Sequence, residues 1–134
     1  MHDRAKRPRI LIVDDEILIA DTLALIFNQR EYEARAVYSA EQALETVAGW
    51  RPAVAILDII LPNMNGVDLA NALKRLDPSM EAVLITGHVV EKLLLENVAR
   101  GGHPFEVLTK PVQVSDLIEN TERLLARAEP PGAN

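Results

Sequence analysis

The sequence predicts an α/β fold, a five-stranded parallel sheet flanked by five helices. Three observations predict it. Short β-prone apolar runs recur five times, at 9–14, 33–37, 53–58, 82–86 and 105–110. Segments with helical spacing of apolar residues separate them. The runs are nearly continuous in apolar character, as strands covered on both faces should be. Strands joined by helices run parallel, and right-handed crossovers put helices on both sides of the sheet.

The elements follow in order. The first run, RILIVD, ends in Asp14. Ile19, Leu23, Ile26 and Phe27 lie at i, i+4, i+7 and i+8 and predict a first helix. EARAV is the second strand. Ser39 and Gln42 have the spacing of a capping box, in which each satisfies the other's free backbone donor, and they open a second helix. The third strand has no polar residue from Ala53 to Leu57, which makes it the candidate central strand. Leu69, Leu73 and Leu76 mark a third helix, and the fourth strand ends in Thr86. In the fourth helix, Leu93, Leu94 and Leu95 span about 200° of arc at ~100° per residue. One buried stripe does not hold all three, so at least one faces solvent or a partner. The fifth strand ends in Lys110, and Val114, Leu117, Ile118, Thr121, Leu124 and Leu125 mark the last helix. Residues 1–8 read as a flexible basic leader, 9–128 as one domain, and the Pro- and Gly-containing 129–134 as a disordered tail.

Composition narrows the function. The 134 residues are one domain's worth, with 49% hydrophobic and 25% charged residues, the mix of a globular chain. Fourteen basic against twenty acidic residues give a net charge of −6, which argues against dedicated nucleic-acid binding. The absence of cysteine excludes disulfides, thiol chemistry and cysteine-based zinc sites, and three scattered histidines make no ligand spacing. No apolar run approaches the ~18 residues of a membrane span. Ile10–Val13 is too short for a signal-peptide core, so a cytoplasmic location without a membrane partner is expected.

The chemistry collects where the strands end. Asp14 and Asp15 follow the first strand, Asp58 the third, Thr86 the fourth and Lys110 the fifth. In a parallel sheet these ends share one edge, where open α/β sheets bind ligands. Each residue has a bland reading. The Asp pair suits a helix N-terminus, Asp58 a turn, Thr86 a strand exit and Lys110 a surface charge. Independent caps need not supply complementary chemistry, however. Three carboxylates and one lysine leave a local charge of about −2, and like charges at close range raise each other's pKa unless a cation intervenes. A hard divalent ion with oxygen ligands resolves this, and Mg²⁺ suits a site with few protein ligands. An ionised Asp58 is then a nucleophile toward phosphorus, with Lys110 balancing charge on phosphoryl oxygens and Thr86 donating a hydroxyl.

The motifs ILIVDDE (10–16), ILDIILPNMNG (56–66), LITGH (84–88) and LTKP (108–111) resemble those of the receiver domain of two-component response regulators. The likeness spans roughly residues 8–128. It implies a flavodoxin-like sheet of strand order 2-1-3-4-5. It also implies Asp58 as phosphoacceptor, Asp15 and Asp58 as direct Mg²⁺ ligands, Asp14 acting through water, and the Ile60 carbonyl as the remaining protein ligand. Thr86 would be the switch hydroxyl, Lys110 the partner of Asp58, and the Lys110–Pro111 bond cis. Gly66 would allow the tight turn after Asn63-Met-Asn65. The implied partners are a histidine kinase or histidine phosphotransfer protein and a downstream protein. The latter would dock on the face of the fourth helix, fifth strand and fifth helix. The expected protein is a stand-alone regulator, monomeric or weakly dimeric, with no enzymatic activity beyond Mg²⁺-dependent self-phosphorylation and slow self-dephosphorylation.

Three positions depart from the family pattern. Val107 stands where an aromatic residue is usual, with Phe105 on the same strand face by period two. Thr86 and Lys110 lie two residues farther apart than is common, with the extra length in Gly101–Pro104. Ile60 replaces a polar side chain that can orient hydrolytic water, so a long-lived acyl phosphate is expected unless His88 at the site rim assists. Two other readings compete. A degenerate receiver would act as a phosphorylation-independent binding module. A small phosphohydrolase with an aspartyl nucleophile would carry Asp-x-Asp at its first strand, which Val13-Asp14-Asp15-Glu16 does not supply.

Overall fold

In a computed structural model, described for residues 7–87 and 91–128, five β-α units follow one another. They are β1 (Arg9–Val13), α1 (Ile17–Asn28), β2 (Glu33–Val37), α2 (Ala40–Gly49), β3 (Val54–Asp58), α3 (Gly66–Leu76), β4 (Glu81–Thr86), α4 (Glu91–Ala99), β5 (Glu106–Thr109) and α5 (Val114–Ala128). The sheet is parallel throughout, in the order β2-β1-β3-β4-β5. β3 pairs with β1 on one side and β4 on the other, and all five of its residues are buried, as its apolar run predicts. Residues 1–6 of the 1–8 leader and the tail 129–134 lie outside the described residues, as does His88.

Side-chain alternation sends residues to two cores. Leu11, Val13, Ala55, Leu57 and Leu84 pack with α2 and α3. Ile10, Ile12, Val54, Ile56, Val83 and Ile85 pack with α1 and α5. One expected stripe is rotated and one is shorter than read. On α1 the innermost residues are Ala20, Ala24 and Phe27, not Ile19 and Leu23. Small residues let that helix lie close to the sheet, which leaves Ile17, Leu18 and Leu25 facing outward. On α3, Leu69 and Leu73 are buried but Leu76 is 51% exposed at the C-terminal end. The α5 stripe stands as read, with Leu117, Thr121 and Leu124 fully inside. On α4, Leu95 is the outward residue, at 64% exposure, while Leu93 and Leu94 pack against the core.

Local signals explain the helix starts. Ser39 Oγ accepts the Gln42 N–H at 3.1 Å. Gln42 Oε1 accepts the N–H of Tyr38 at 2.8 Å, one residue earlier than the capping-box reading expected. Asn65 caps α3 by accepting the Asp68 N–H at 2.9 Å.

Candidate functional site

The ladder continues one hydrogen bond past several strands, and this fixes the loops that carry the polar residues. Asp14 N–H donates to Val37 O at 3.2 Å, Ile59 N–H to Ile85 O at 2.9 Å, and Lys110 N–H to Thr86 O at 2.8 Å. Asp14, Asp58, Thr86 and Lys110 are thereby brought to one edge of the sheet. Each buried Asp divides its carboxylate between two tasks. One oxygen closes an Asx turn: Asp14 Oδ1 accepts the Glu16 N–H at 2.9 Å, and Asp58 Oδ1 accepts the Ile60 N–H at 3.0 Å. The turn-forming reading of Asp58 is therefore correct for one of its oxygens, whereas Asp14 closes a turn ahead of α1 and does not cap it, the N-cap position being Glu16. The other oxygen of each Asp faces Lys110.

Lys110 Nζ donates to Asp58 Oδ2 at 3.0 Å and lies 3.8 Å from Asp14 Oδ2 and 3.7 Å from Glu16 Oε1. Carboxylate oxygens of Asp14, Asp15 and Asp58 lie within 4.8 Å of one another. Asp14 and Asp58 are 5% and 6% exposed, whereas Asp15 is open to solvent. A cavity of about 390 Å³ is lined by Asp15, Glu16, Asp58, Ile60, Gly87 and Lys110. Thr86 is buried at the end of β4, opposite Thr109 in register. The Lys110–Pro111 peptide is cis, as the resemblance implies.

The electrostatics follow from this crowding. Burial is the largest influence on Asp14 and pushes its carboxyl up, and the Asp58 and Glu16 charges add to it. The Glu16 N–H and Lys110 oppose without cancelling. Burial alone would lower the Lys110 ammonium, but its hydrogen bond to Asp58 and the charges of Asp58, Asp14 and Glu16 outweigh that and raise it. Three carboxylates around one ammonium, two of them buried, with Asp15 beside them, form a donor set that fits a hard divalent cation with oxygen ligands. Asp14, Asp15 and Asp58 are the side chains able to hold one.

The raised Asp14 carboxyl has a thermodynamic sign. The folded chain binds that proton more tightly than the unfolded chain. The associated stability is complete below the unfolded carboxylate pKa and is lost as pH rises through the raised folded value. An Asp14→Asn protein, which keeps the acceptor for Glu16 N–H, is expected to melt a few degrees above wild type at pH 7 in a chelator. The gap should close toward pH 4, and the stabilisation by Mg²⁺ should be diminished in the variant. Thermal melts at two pH values, with and without Mg²⁺, check this.

Two features escaped the sequence reading. Glu16 joins the site through Lys110, although only its place after Asp14-Asp15 hinted at that. Gly66 matters for a reason other than the turn. The left-handed residue there is Asn63, at φ 70°. A Cβ on Gly66 would lie 2.3 Å from the Asp58 carbonyl oxygen and 2.8 Å from Ile59 Cα, so only hydrogen lets α3 start against the Asp58 loop. Val107 and Phe105 both pack on the core that holds Leu84, Leu93 and Leu94, so they do share a face. Phe105 also meets the His103 ring at a tilt of 51°, with ring centroids 4.8 Å apart.

Known proteins resemble this chain in sequence and in fold. A family model described as the response regulator receiver domain matches residues 10–122. The nitrogen assimilation regulatory protein NtrX of Azorhizobium caulinodans is 36% identical over 118 residues, 87% of this chain and 26% of that protein. The DNA-binding response regulator MtrA of Mycolicibacterium smegmatis is 28% identical over 92% of this chain and 53% of its own length. The chain thus spans between about a quarter and a half of these relatives. A CheY-like receiver domain protein from Methanospirillum hungatei superposes with a TM-score of 0.82 at 29% identity, covering 91% of this chain and 96% of the other.

Proposed function

The chain belongs to the response regulator receiver domain family, and on that footing we propose that Asp58 accepts a phosphoryl group from a histidine kinase or histidine phosphotransfer protein. The reaction depends on Mg²⁺, and the phosphorylated state is passed on by protein contact. The observation that carries the reading is the Lys110 ammonium, 3.0 Å from Asp58 Oδ2 inside a cluster of three aspartates.

Asp58 attacks phosphorus through a carboxylate oxygen. The bond from phosphorus to the donor nitrogen breaks, and its electron pair returns to the imidazole ring. The product is an acyl phosphate on Asp58. Bound Mg²⁺ supplies charge neutralisation for the phosphoryl oxygens. Asp15, Asp58 and the Ile60 carbonyl would hold it directly, with Asp14 acting through water. Lys110 trades its contact with Asp58 for one with the phosphoryl group, and the Thr86 hydroxyl donates to another phosphoryl oxygen. The downstream partner docks on the face of α4, β5 and α5, where Leu95 and Val98 are exposed. The net charge of −6 supports protein rather than nucleic-acid contact by this domain, in the cytoplasm.

Incubation with acetyl phosphate and Mg²⁺, followed by measurement of hydroxylamine-labile phosphate, tests the proposal. Wild type should take up one phosphoryl group and Asp58→Asn none. Val107 favours one second reading, a phosphorylation-independent binding module, since it removes the usual aromatic ring. Wild type that stays unlabelled with every donor would establish that reading.

Ile60 is 48% exposed at the pocket and has no polar group to orient water. Ile60→Asn is expected to shorten the phosphoryl half-life by roughly tenfold. Equal decay of the two phosphoproteins would remove Ile60 from the account.

A further inference from the structure

We propose that the groove between α3 and the α4–β5 connection is a docking site for an acidic peptide segment of a partner protein. The groove encloses about 750 Å³ and shares no lining residue with the phosphoacceptor cavity. Its occupancy therefore does not rest on the phosphorylation reading.

The groove is preformed by a buried carboxamide clip. Asn97, only 4% exposed, donates through Nδ2 to the His103 carbonyl at 2.9 Å and accepts from Asn71 Nδ2 at 2.6 Å. Asn71 Oδ1 in turn accepts the His103 N–H at 3.1 Å. Gly102 donates its N–H to Asn97 O at 2.8 Å, and a Cβ on Gly102 would sit 2.0 Å from Asn97 Oδ1. The extra length at Gly101–Pro104 is thus used to tie α3 to the end of α4. Walls fixed in advance lower the ordering cost of binding.

Two of the three rim cations are uncommitted, and the groove's charge has the right sign. The protein carries −6 overall, yet Lys74, Arg75 and Arg100 line this groove against a single carboxylate, Asp68. Asp68 is held by the Asn65 amide at 3.2 Å, and Lys74 is held by the Met80 carbonyl at 2.8 Å and Glu81 at 3.6 Å. Arg75 on α3 and Arg100 after α4 are both exposed, and neither makes an ion pair among the described residues. Guanidinium groups match carboxylates bidentately. The two belong to different walls, and Met64, Ala72 and Pro78 add apolar surface. Separated cations with apolar surface suit an extended acidic chain better than one compact anion.

The test uses the full chain, unphosphorylated, and a six-residue peptide of alternating Asp and Glu with blocked ends. Amide and side-chain NMR shifts should move at Asn71, Asn97, Gly102 and His103 and should saturate. The double variant Arg75→Glu, Arg100→Glu should bind about tenfold more weakly with its remaining spectrum unchanged. Several results would overturn the proposal. These are no saturable shift at the groove, equal binding by the double variant, or inorganic pyrophosphate binding as tightly as the peptide. Shifts that track protein concentration alone would assign the groove to a second copy of this chain, which also overturns it.

Discussion

A Lys110→Ala protein is expected to take up phosphoryl groups about a hundredfold more slowly at saturating Mg²⁺, while binding Mg²⁺ more tightly than wild type. The two effects have one cause. Lys110 is the cation that neutralises Asp58, Asp14 and Glu16 in the resting site. Its removal leaves those carboxylates with no ion-pair partner among the described residues, so a divalent cation gains more by entering. The same removal deletes the ammonium that would meet the developing charge on the phosphoryl oxygens. Calorimetric titration of Mg²⁺ and initial rates with acetyl phosphate measure the two effects separately. A variant that loses Mg²⁺ affinity along with rate would show that Lys110 organises the pocket rather than competing for it.

The second large effect lies outside the carboxylates. Gly66→Ala is expected to cost about 3 kcal/mol of stability, because its Cβ meets backbone rather than a side chain that can turn aside. That corresponds to a Tm lower by roughly 10 °C. Separation of α3 from the loop would also displace the Asp58 carbonyl and Ile59, so phosphoryl uptake should fall at temperatures where the variant is still folded. Thermal unfolding together with uptake at 10 °C distinguishes the two losses. An unchanged Tm would mean that α3 can withdraw freely and that the 2.3 Å approach is not required.

The residues most legible from sequence were those at the strand ends. A parallel β-α alternation converts sequence position directly into place, so Asp14, Asp58, Thr86 and Lys110 had to meet once the alternation was recognised. The central strand was legible because both faces of β3 are covered, leaving it no polar alternation. What sequence could not show was set by contacts across the fold. Apolar spacing on α1 pointed to the large residues. Of these only Phe27 is fully buried; the rest of the buried face is Ala20 and Ala24, because close helix–sheet approach selects small side chains. Glu16 had no distinctive local signal, since its role comes from a lysine at position 110. Gly66 looked like a turn glycine because its real constraint, the Asp58 carbonyl, lies on the preceding strand. The clip of Asn71, Asn97 and His103 is equally invisible in sequence, because ordinary polar residues 26 and 32 positions apart form it.

The most direct measurement is borohydride reduction of the protein after reaction with a phosphodonor and Mg²⁺, followed by peptide mass mapping. Reduction converts an acyl phosphate to an alcohol and so marks the carboxylate that carried it. The account predicts reduction at position 58 alone, dependent on Mg²⁺. A mark on Asp14 or Asp15, or an unmarked chain that still binds Mg²⁺, would contradict it.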